Sequence, residues 1–315
     1  MRRYLTCILL VLPLITFAQN GNAEFEEAVV HYRNKEFLKA KVGLERAIAL
    51  GHAGAMNSMG LLYQFGEGVP QSYTEAFSWF QKAANKQDVM AVYNLSLLYR
   101  RGLGVAADLS RSFELSLQAA LKGLPEAMVN TGMKYYEAEG VAKSDSLAFR
   151  WMERAAGTGL PEAVYKLGAM YQQGIFVKQD FTMARKLYQE ASQSKHIDAM
   201  RSLGLLYING LGGNRDVPGA IALFEEGVSR KDAASQYLLG KIYLGGSGAN
   251  ADLKKGFELT MMAAKSGLPD AMYQLGMCYY SGAGTEINTD EGNIWIRAAA
   301  KAGHPMALGV VKSLK

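Results

Sequence analysis

Residues 163–171 read AVYKLGAMY, and the same frame returns as AMRSLGLLY at 199–207 and as AMYQLGMCY at 271–279. The starts are separated by one and then two steps of 36 residues. Sliding the whole chain by that step gives seven units, beginning at Ala55, Ala91, Ala127, Ala163, Ala199, Ser235 and Ala271. An eighth start, Ala307, runs out of chain at Lys315. A small residue, then Leu, Gly and Tyr at spacings of four, one and three, share one face of a helix. The Gly column lets a neighbouring helix approach closely, and the Leu and Tyr fill the remaining space. Such regular self-similarity is the signature of a repeat architecture.

Outward from that helix, each unit continues in the same order. A glycine-rich stretch follows, such as Gly66-Glu67-Gly68 or Gly282-Ala283-Gly284, suited to the left-handed turn that ends a helix. Then comes Ser72, Asp108, Ser144, Asp180, Asp216, Asp252 or Asn288, each a good N-cap for a second helix. The second helix carries a small residue (Ala76, Ala148, Ala184), a large apolar one three later (Trp79, Trp151, Leu187), and a closing small pair such as Ala83-Ala84. Gly123-Leu124-Pro125, Gly159-Leu160-Pro161 and Gly267-Leu268-Pro269 end second helices and open the next unit, with Pro pre-set for the first helical turn. Polar–apolar alternation of the kind strands need is absent. The expectation is an all-α chain of antiparallel helix pairs in which no unit buries its apolar stripe alone.

The unit A-x-x-x-L-G-x-x-Y-x-x-G-x-G-V, then a capping residue, a small residue, Trp and A-A, resembles the Sel-one-like repeat, a branch of the tetratricopeptide superfamily. The resemblance covers residues 55–306. It implies an α/α solenoid wound as a right-handed superhelix, with the first helix of each unit lining a concave surface. Residues 19–54 read as an N-terminal helix pair closer to an ordinary tetratricopeptide motif, around Ala40 and Ala47, capping the stack. Residues 307–315 read as a C-terminal capping stub, since terminal units of solenoids are atypical.

The chain opens like an export substrate. Arg2 and Arg3 precede an apolar run from Leu5 to Phe17, and Thr16-Phe17-Ala18 offers a cleavage site before Gln19. Residues 1–18 are therefore expected to be a signal peptide, too short to be a membrane span. Cys7 lies inside the apolar run, not at its end, which argues against lipidation. The mature protein is expected in the periplasm, at the cell surface or in the medium, and not to span a membrane. The formal charge of +5 falls to +3 with Arg2 and Arg3 gone, too mild a balance for a nucleic-acid binder.

Few residues suggest chemistry. Cys278 lies in a packed first helix and reads as a buried structural thiol. His52, His196 and His304 share one position after the second helix, several units apart, and read as surface loop histidines and not as a metal site. The glycine turns lack the Gly-Lys-Ser/Thr ending of a phosphate loop, and the recurrent Asp residues are caps. No catalytic residue, metal or cofactor is expected. Some secreted members of the family are cysteine-rich and linked to β-lactam hydrolysis, but they carry a cysteine pair in each repeat. Here only Cys278 would survive processing, and no S-x-x-K motif follows the leader.

The leading expectation is an exported scaffold holding a protein or peptide partner on its concave face. The candidate residues are Tyr93, Arg100, Arg101, Tyr136, Glu137, Tyr165, Gln172, Arg201, Tyr237, Tyr273 and Tyr280. Aromatic residues and Arg dominate binding hot spots. The recurring column Tyr93, Tyr165, Tyr237, Tyr273 has a second reading, as packing between units. The residues that break the repeat, Arg100, Arg101 and Arg201 among them, suit an extended or helical peptide with acidic or aromatic groups. Cell-wall glycan stacking on Tyr136 and Tyr280 is the alternative ligand, so surface association is a further expectation.

Overall fold

The computed structural model describes residues 21–246 and 251–313, so the expected leader lies outside the described residues. Those residues form seventeen helices and no strand. The chain divides into two units, residues 1–144 and 145–315. In the first, α1 (Asn22–Arg33), α2 (Phe37–Ala49), α3 (Ala53–Phe65), α4 (Tyr73–Asn85), α5 (Val89–Arg101), α6 (Leu109–Leu121) and α7 (Pro125–Glu137) each pack on the next. In the second the same holds for α8 (Asp145–Ala156), α9 (Pro161–Gln173), α10 (Phe181–Gln193), α11 (Ile197–Asn209) and α12 (Val217–Ser229). It continues through α13 (Ala233–Gly245), α14 (Leu253–Lys265), α15 (Pro269–Ser281), α16 (Thr289–Lys301) and α17 (Pro305–Ser313). Each unit is thus an α-solenoid of sequential helix pairs.

The repeat columns explain the packing. Ala55, Ala91, Ala163, Ala199 and Ala271 are fully buried, and Ser235 nearly so. At the Gly column a side chain from the second helix lies flat on the backbone. A Cβ on Gly60 would stand 2.5 Å from the Phe80 ring, and one on Gly276 would stand 2.7 Å from Ile296. The first helices end on left-handed residues, Gly66, Gly102, Gly174, Gly210 and Gly282 among them. The Tyr column contributes its backbone as well as its ring. The carbonyls of Tyr63, Tyr99, Tyr135, Tyr171, Tyr207, Tyr243 and Tyr279 accept the N–H of the residue that starts each second helix, at 2.9–3.1 Å. Ser72, Asp108, Asp180, Asp216, Asp252 and Asn288 cap those helices through side-chain oxygens. Each such cap is worth about 1 kcal/mol.

The first helices have their own cap column, which the sequence reading passed over. His52, Asp88, His196 and Asp232 accept the N–H three residues on, from Ala55, Ala91, Ala199 and Ser235. His304 does the same for Ala307 at 3.2 Å. The expectation that these histidines sit in surface loops is therefore corrected: His52 is 6% exposed and His304 8%, and each has a structural bond to make. Where Leu-Pro opens the helix, at Leu124, Leu160 and Leu268, no side chain caps it. Proline removes one of the orphan donors there.

One polar interruption stands in the first unit. The buried column Leu62, Leu98, Met170, Leu206, Ile242 and Cys278 contains Lys134, 2% exposed. Its ammonium meets Glu139 at 2.6 Å and the Ser112 hydroxyl at 2.9 Å.

Candidate functional site

The exposed edges of the first helices carry the candidate residues. In the first unit α5 ends with Arg100 and Arg101, and α7 ends with Tyr136 and Glu137. Arg100 is held by Glu139 at 2.6 Å and lies 3.7 Å from Glu137. Burial pushes the Glu139 pKa up, but hydrogen bonds from Lys134 and Arg100 outweigh it and keep the carboxylate charged. Lys143 lies over the Tyr136 ring at 5.3 Å. Tyr93 is half-buried, and burial raises its hydroxyl pKa. Arg101 is exposed and makes no ion pair among the described residues, so of the three arginines it is the one left for a partner.

In the second unit most candidates face inward contacts. Tyr165 stacks on His196 with ring centres 5.0 Å apart, and Tyr273 on His304 at 4.5 Å. These rings cover the caps of the next first helix. Arg201, at the same column, bridges Asp198 and the capping carboxylate Asp232. Gln172 accepts from the Tyr188 hydroxyl at 2.7 Å, and Tyr280 donates to Asn293 at 2.7 Å. Tyr237 packs against the buried cluster that includes Ala264, Ala271 and Leu275, with Lys241 over its ring at 5.6 Å. Of the two readings of the Tyr column, packing between repeats accounts for Tyr165 and Tyr273. Two of the three arginines thought to suit an acidic partner are already neutralised inside the chain.

What these edges offer outward is the next column over. Leu61, Leu97 and Met133 are half-buried, while Leu205 and Met277 are 40% and 38% exposed. Phe65, at the end of α3, is 59% exposed. In the first unit this column is aliphatic throughout, and in the second the exposed Lys241 stands between Leu205 and Met277; apolar side chains flanked by charge suit a contact surface. Cys278 offers no nucleophile: it is 1% exposed, and burial pushes its thiol pKa up. Among the described residues no three metal-ligating side chains gather at one place, and no helix is long and apolar enough to cross a membrane.

The Sel1 repeat family matches seven segments, residues 53–88, 89–124, 125–157, 161–196, 197–232, 233–268 and 269–304. Among solved structures, the chain is similar to a protective antigen present in uropathogenic Escherichia coli strains that displays an SLR fold. The two share 27% identity at a TM-score of 0.76, over 94% of this chain and 64% of that one. The chain therefore spans about two thirds of the length of that relative. It is also similar to a Sel1 repeat protein from Oxalobacter formigenes, with 27% identity and a TM-score of 0.69 over 94% of this chain and 86% of that one. No curated relative matches the sequence. Seven matched repeats covering most of the residues, on a fold built from helix pairs, place the chain in the Sel1 repeat family, a tetratricopeptide-like group.

Proposed function

We propose that this chain is an exported scaffold that binds a protein or peptide along the outer edges of its first helices. Sel1 repeat proteins typically act as protein-interaction scaffolds, and the seven repeats supply the extended surface such a role needs. The observation that carries the reading is the pair of exposed aliphatic side chains Leu205 and Met277 in the second unit, two repeats apart and each left outside while its neighbours in the helix are buried. Export rests on the leader-like residues 1–18, and a protective antigen among the similar structures fits a protein met outside the cytoplasm. Of the three candidate arginines, Arg100 and Arg201 are spent on internal carboxylates, which leaves Arg101 in the first unit and the exposed Lys241 in the second as cations for a partner.

Photo-crosslinkers placed at 101, 205 and 277 in the native cell test this. A protein adduct is expected from these positions, and the partner so identified should bind the Leu205→Glu and Met277→Glu chains about tenfold or more weakly. Unchanged affinity in both variants, or adducts only with glycan, would overturn the reading. Fractionation for the chain without residues 1–18 tests export separately.

A further inference from the structure

A small socket opens beside the outer edge of the first helices, between α1 and α3. It is a cavity of about 110 Å³, lined by Ala28, Val29 and Tyr32 of α1, Leu44 of α2, and Ser58 and Leu61 of α3. Its floor is closed, with Ala28 and Leu44 both buried. Val29, Ser58 and Leu61 are half-buried, and Tyr32 is exposed at the rim. The Tyr32 hydroxyl donates to Glu67 at 2.7 Å, and its ring meets Phe37 edge-on with centres 5.4 Å apart, so this wall is held in place. Apart from the hydroxyls of Ser58 and Tyr32, the lining side chains are hydrocarbon.

The repeat shows why the space is there. Leu44 and Ser58 lie 14 residues apart, one on a second helix and one on the first helix that follows it. The same two columns hold Phe80 and Asn94, Ser116 and Asn130, Tyr188 and Ser202, and Phe224 and Leu238. In those repeats the pair is bulkier or hydrogen-bonded. Asn94 reaches back to Asn57 on the preceding first helix at 2.9 Å. Ser116 donates to Asn130 at 2.9 Å. Ser202 donates to the Tyr188 hydroxyl, which itself donates to Gln172 at 2.7 Å. Leu44 is shorter than Phe80, Tyr188 or Phe224, and Ser58 is shorter than Asn94 or Leu238. The α2–α3 pair thus leaves open what a ring or a longer side chain takes up elsewhere, and the fold itself accepts a larger residue at the Ser58 column.

We propose that this socket takes one aliphatic side chain, Leu, Ile or Met, of a bound peptide; the proposal rests on the reading of these edges as a peptide-binding surface. An apolar cavity of about 150 Å³ holds benzene. By proportion, the 110 Å³ socket holds roughly four heavy atoms. Leu, Ile and Met side chains have that size; Phe and Trp exceed it, and Ala leaves most of it empty. A fatty acyl chain is longer than the socket is deep, because Ala28 and Leu44 close the floor, so a side chain fits where a lipid tail does not. Leu61 is both a wall of the socket and a member of the outward column with Leu97 and Met133. Phe65, one turn further along the same helix face, is 59% exposed. A peptide anchored in the socket therefore passes over further apolar surface, the arrangement of a binding hot spot.

The chain purified from the native cell and panned against a displayed random heptapeptide library tests this, with enriched peptides fluorescein-labelled for polarisation titration. Enriched peptides should share one position held by Leu, Ile or Met. Alanine at that position should weaken binding about tenfold or more, and Trp should abolish it. Ser58→Leu, which puts into the socket the residue that the repeat carries at Leu238, should weaken binding by about tenfold or more and keep the wild-type melting temperature. Ser58→Asn, the residue at Asn94 and Asn130, gives the same readout with a second side chain, and Ser58→Ala should bind as wild type does. Leu205→Glu and Met277→Glu should leave these peptides unaffected. No shared aliphatic position, or wild-type affinity in both Ser58→Leu and Ser58→Asn, would overturn the proposal, while the scaffold reading keeps its own test at positions 101, 205 and 277. Displacement of the peptides by dodecanoate would make the socket a lipid site, and a dimer of the chain that Ser58→Leu dissociates would give it to a second copy; either result overturns the proposal as well.

Discussion

The guanidinium of Arg201 donates to both carboxylate oxygens of Asp232, at 3.2 and 3.3 Å, while the same carboxylate caps α13 by accepting the Ser235 N–H at 2.8 Å. The two residues lie 31 apart in the chain. So do Tyr165 and His196, and Tyr273 and His304, whose rings stack. The three pairs solve one problem in two ways. A first helix needs its leading N–H groups satisfied, and the capping side chain is held in place from the preceding first helix. An imidazole cap is held by an aromatic ring, a carboxylate cap by a guanidinium.

This equivalence makes the pairs exchangeable. Asp232→Ala removes a cap and leaves Arg201 with Asp198 alone, so it should cost about 1–2 kcal/mol. Arg201→Tyr by itself should also destabilise, since a phenol cannot replace the bidentate donor. Combining Arg201→Tyr with Asp232→His rebuilds the Tyr273–His304 arrangement, and the double variant should be more stable than either single change. Denaturant titration, with amide exchange at Ser235 as the local readout, checks it. A double variant as unstable as the sum of the two singles would show that the pairs are not equivalent.

The 36-residue step, the helix pairs and the second-helix caps were legible because their columns are nearly uniform: Ser, Asp or Asn at the cap and Tyr nine residues before it. The first-helix caps were hidden because their column mixes His, Asp and Leu, chemically unlike residues that do one job or yield it to the proline that follows. The signal was present in the pairing at 31 residues, Tyr with His and Arg with Asp, which becomes visible only when the first and last columns of each repeat are read together. Arg100 and Arg201 stood out as departures from the repeat, but their partners lie far along the chain, Glu139 in the following repeat and Asp232 at the end of the repeat that holds Arg201. Single-column reading therefore left both as free charges.

His52 makes stability depend on pH in a definite direction. Its Nδ1 accepts the Ala55 N–H at 3.0 Å, so the proton sits on Nε2, which faces Asn22 Oδ1 at 3.0 Å. A doubly protonated ring cannot accept at Nδ1. Burial pushes its pKa down, with Asp88 pulling weakly the other way. The folded state then binds this proton less readily than the unfolded chain, whose value is about 6.5. The contribution is complete above that value and is lost as pH falls through it towards the folded pKa. His52→Asn keeps a good capping residue and should flatten the stability profile below about pH 6.5 relative to wild type. An unchanged profile would assign the acid sensitivity to other groups.

Lys134 and Glu139 should respond unequally to truncation. Burial lowers the Lys134 pKa even against the attraction of Glu139, so its charge is kept at a cost. Glu139→Ala leaves that buried ammonium with only the Ser112 hydroxyl, which should destabilise by about 3 kcal/mol. Lys134→Met restores the apolar column seen at Met170 and leaves Glu139 with Arg100 as its partner. It should be neutral or stabilising, since hydrophobic replacement of buried ion pairs often is. Denaturant midpoints for the two variants give the comparison; a Lys134→Met chain weaker than Glu139→Ala would contradict it.

The turn after each first helix supplies the last contrast. Gly104 has φ 70°, and a Cβ there would run into the backbone carbonyl of Tyr73, the first residue of α4. Gly212 stands in the same relation to Phe181. At the equivalent position α9 is followed by Phe176, which keeps the left-handed φ, at 65°, with a full side chain, 53% exposed and 5.7 Å from the Phe149 ring. The backbone around Phe176 has therefore already made room for a Cβ, and the one around Gly104 has not. Gly104→Ala combines a left-handed penalty with a backbone collision and should cost about 2 kcal/mol or more. Phe176→Ala gives up one half-exposed ring contact and no new space is needed, so it should cost less than about 1 kcal/mol. Equal losses in the two variants would mean that the turn at Gly104 yields as easily as the turn at Phe176, and that the close approach of Gly104 to α4 contributes nothing to the stack.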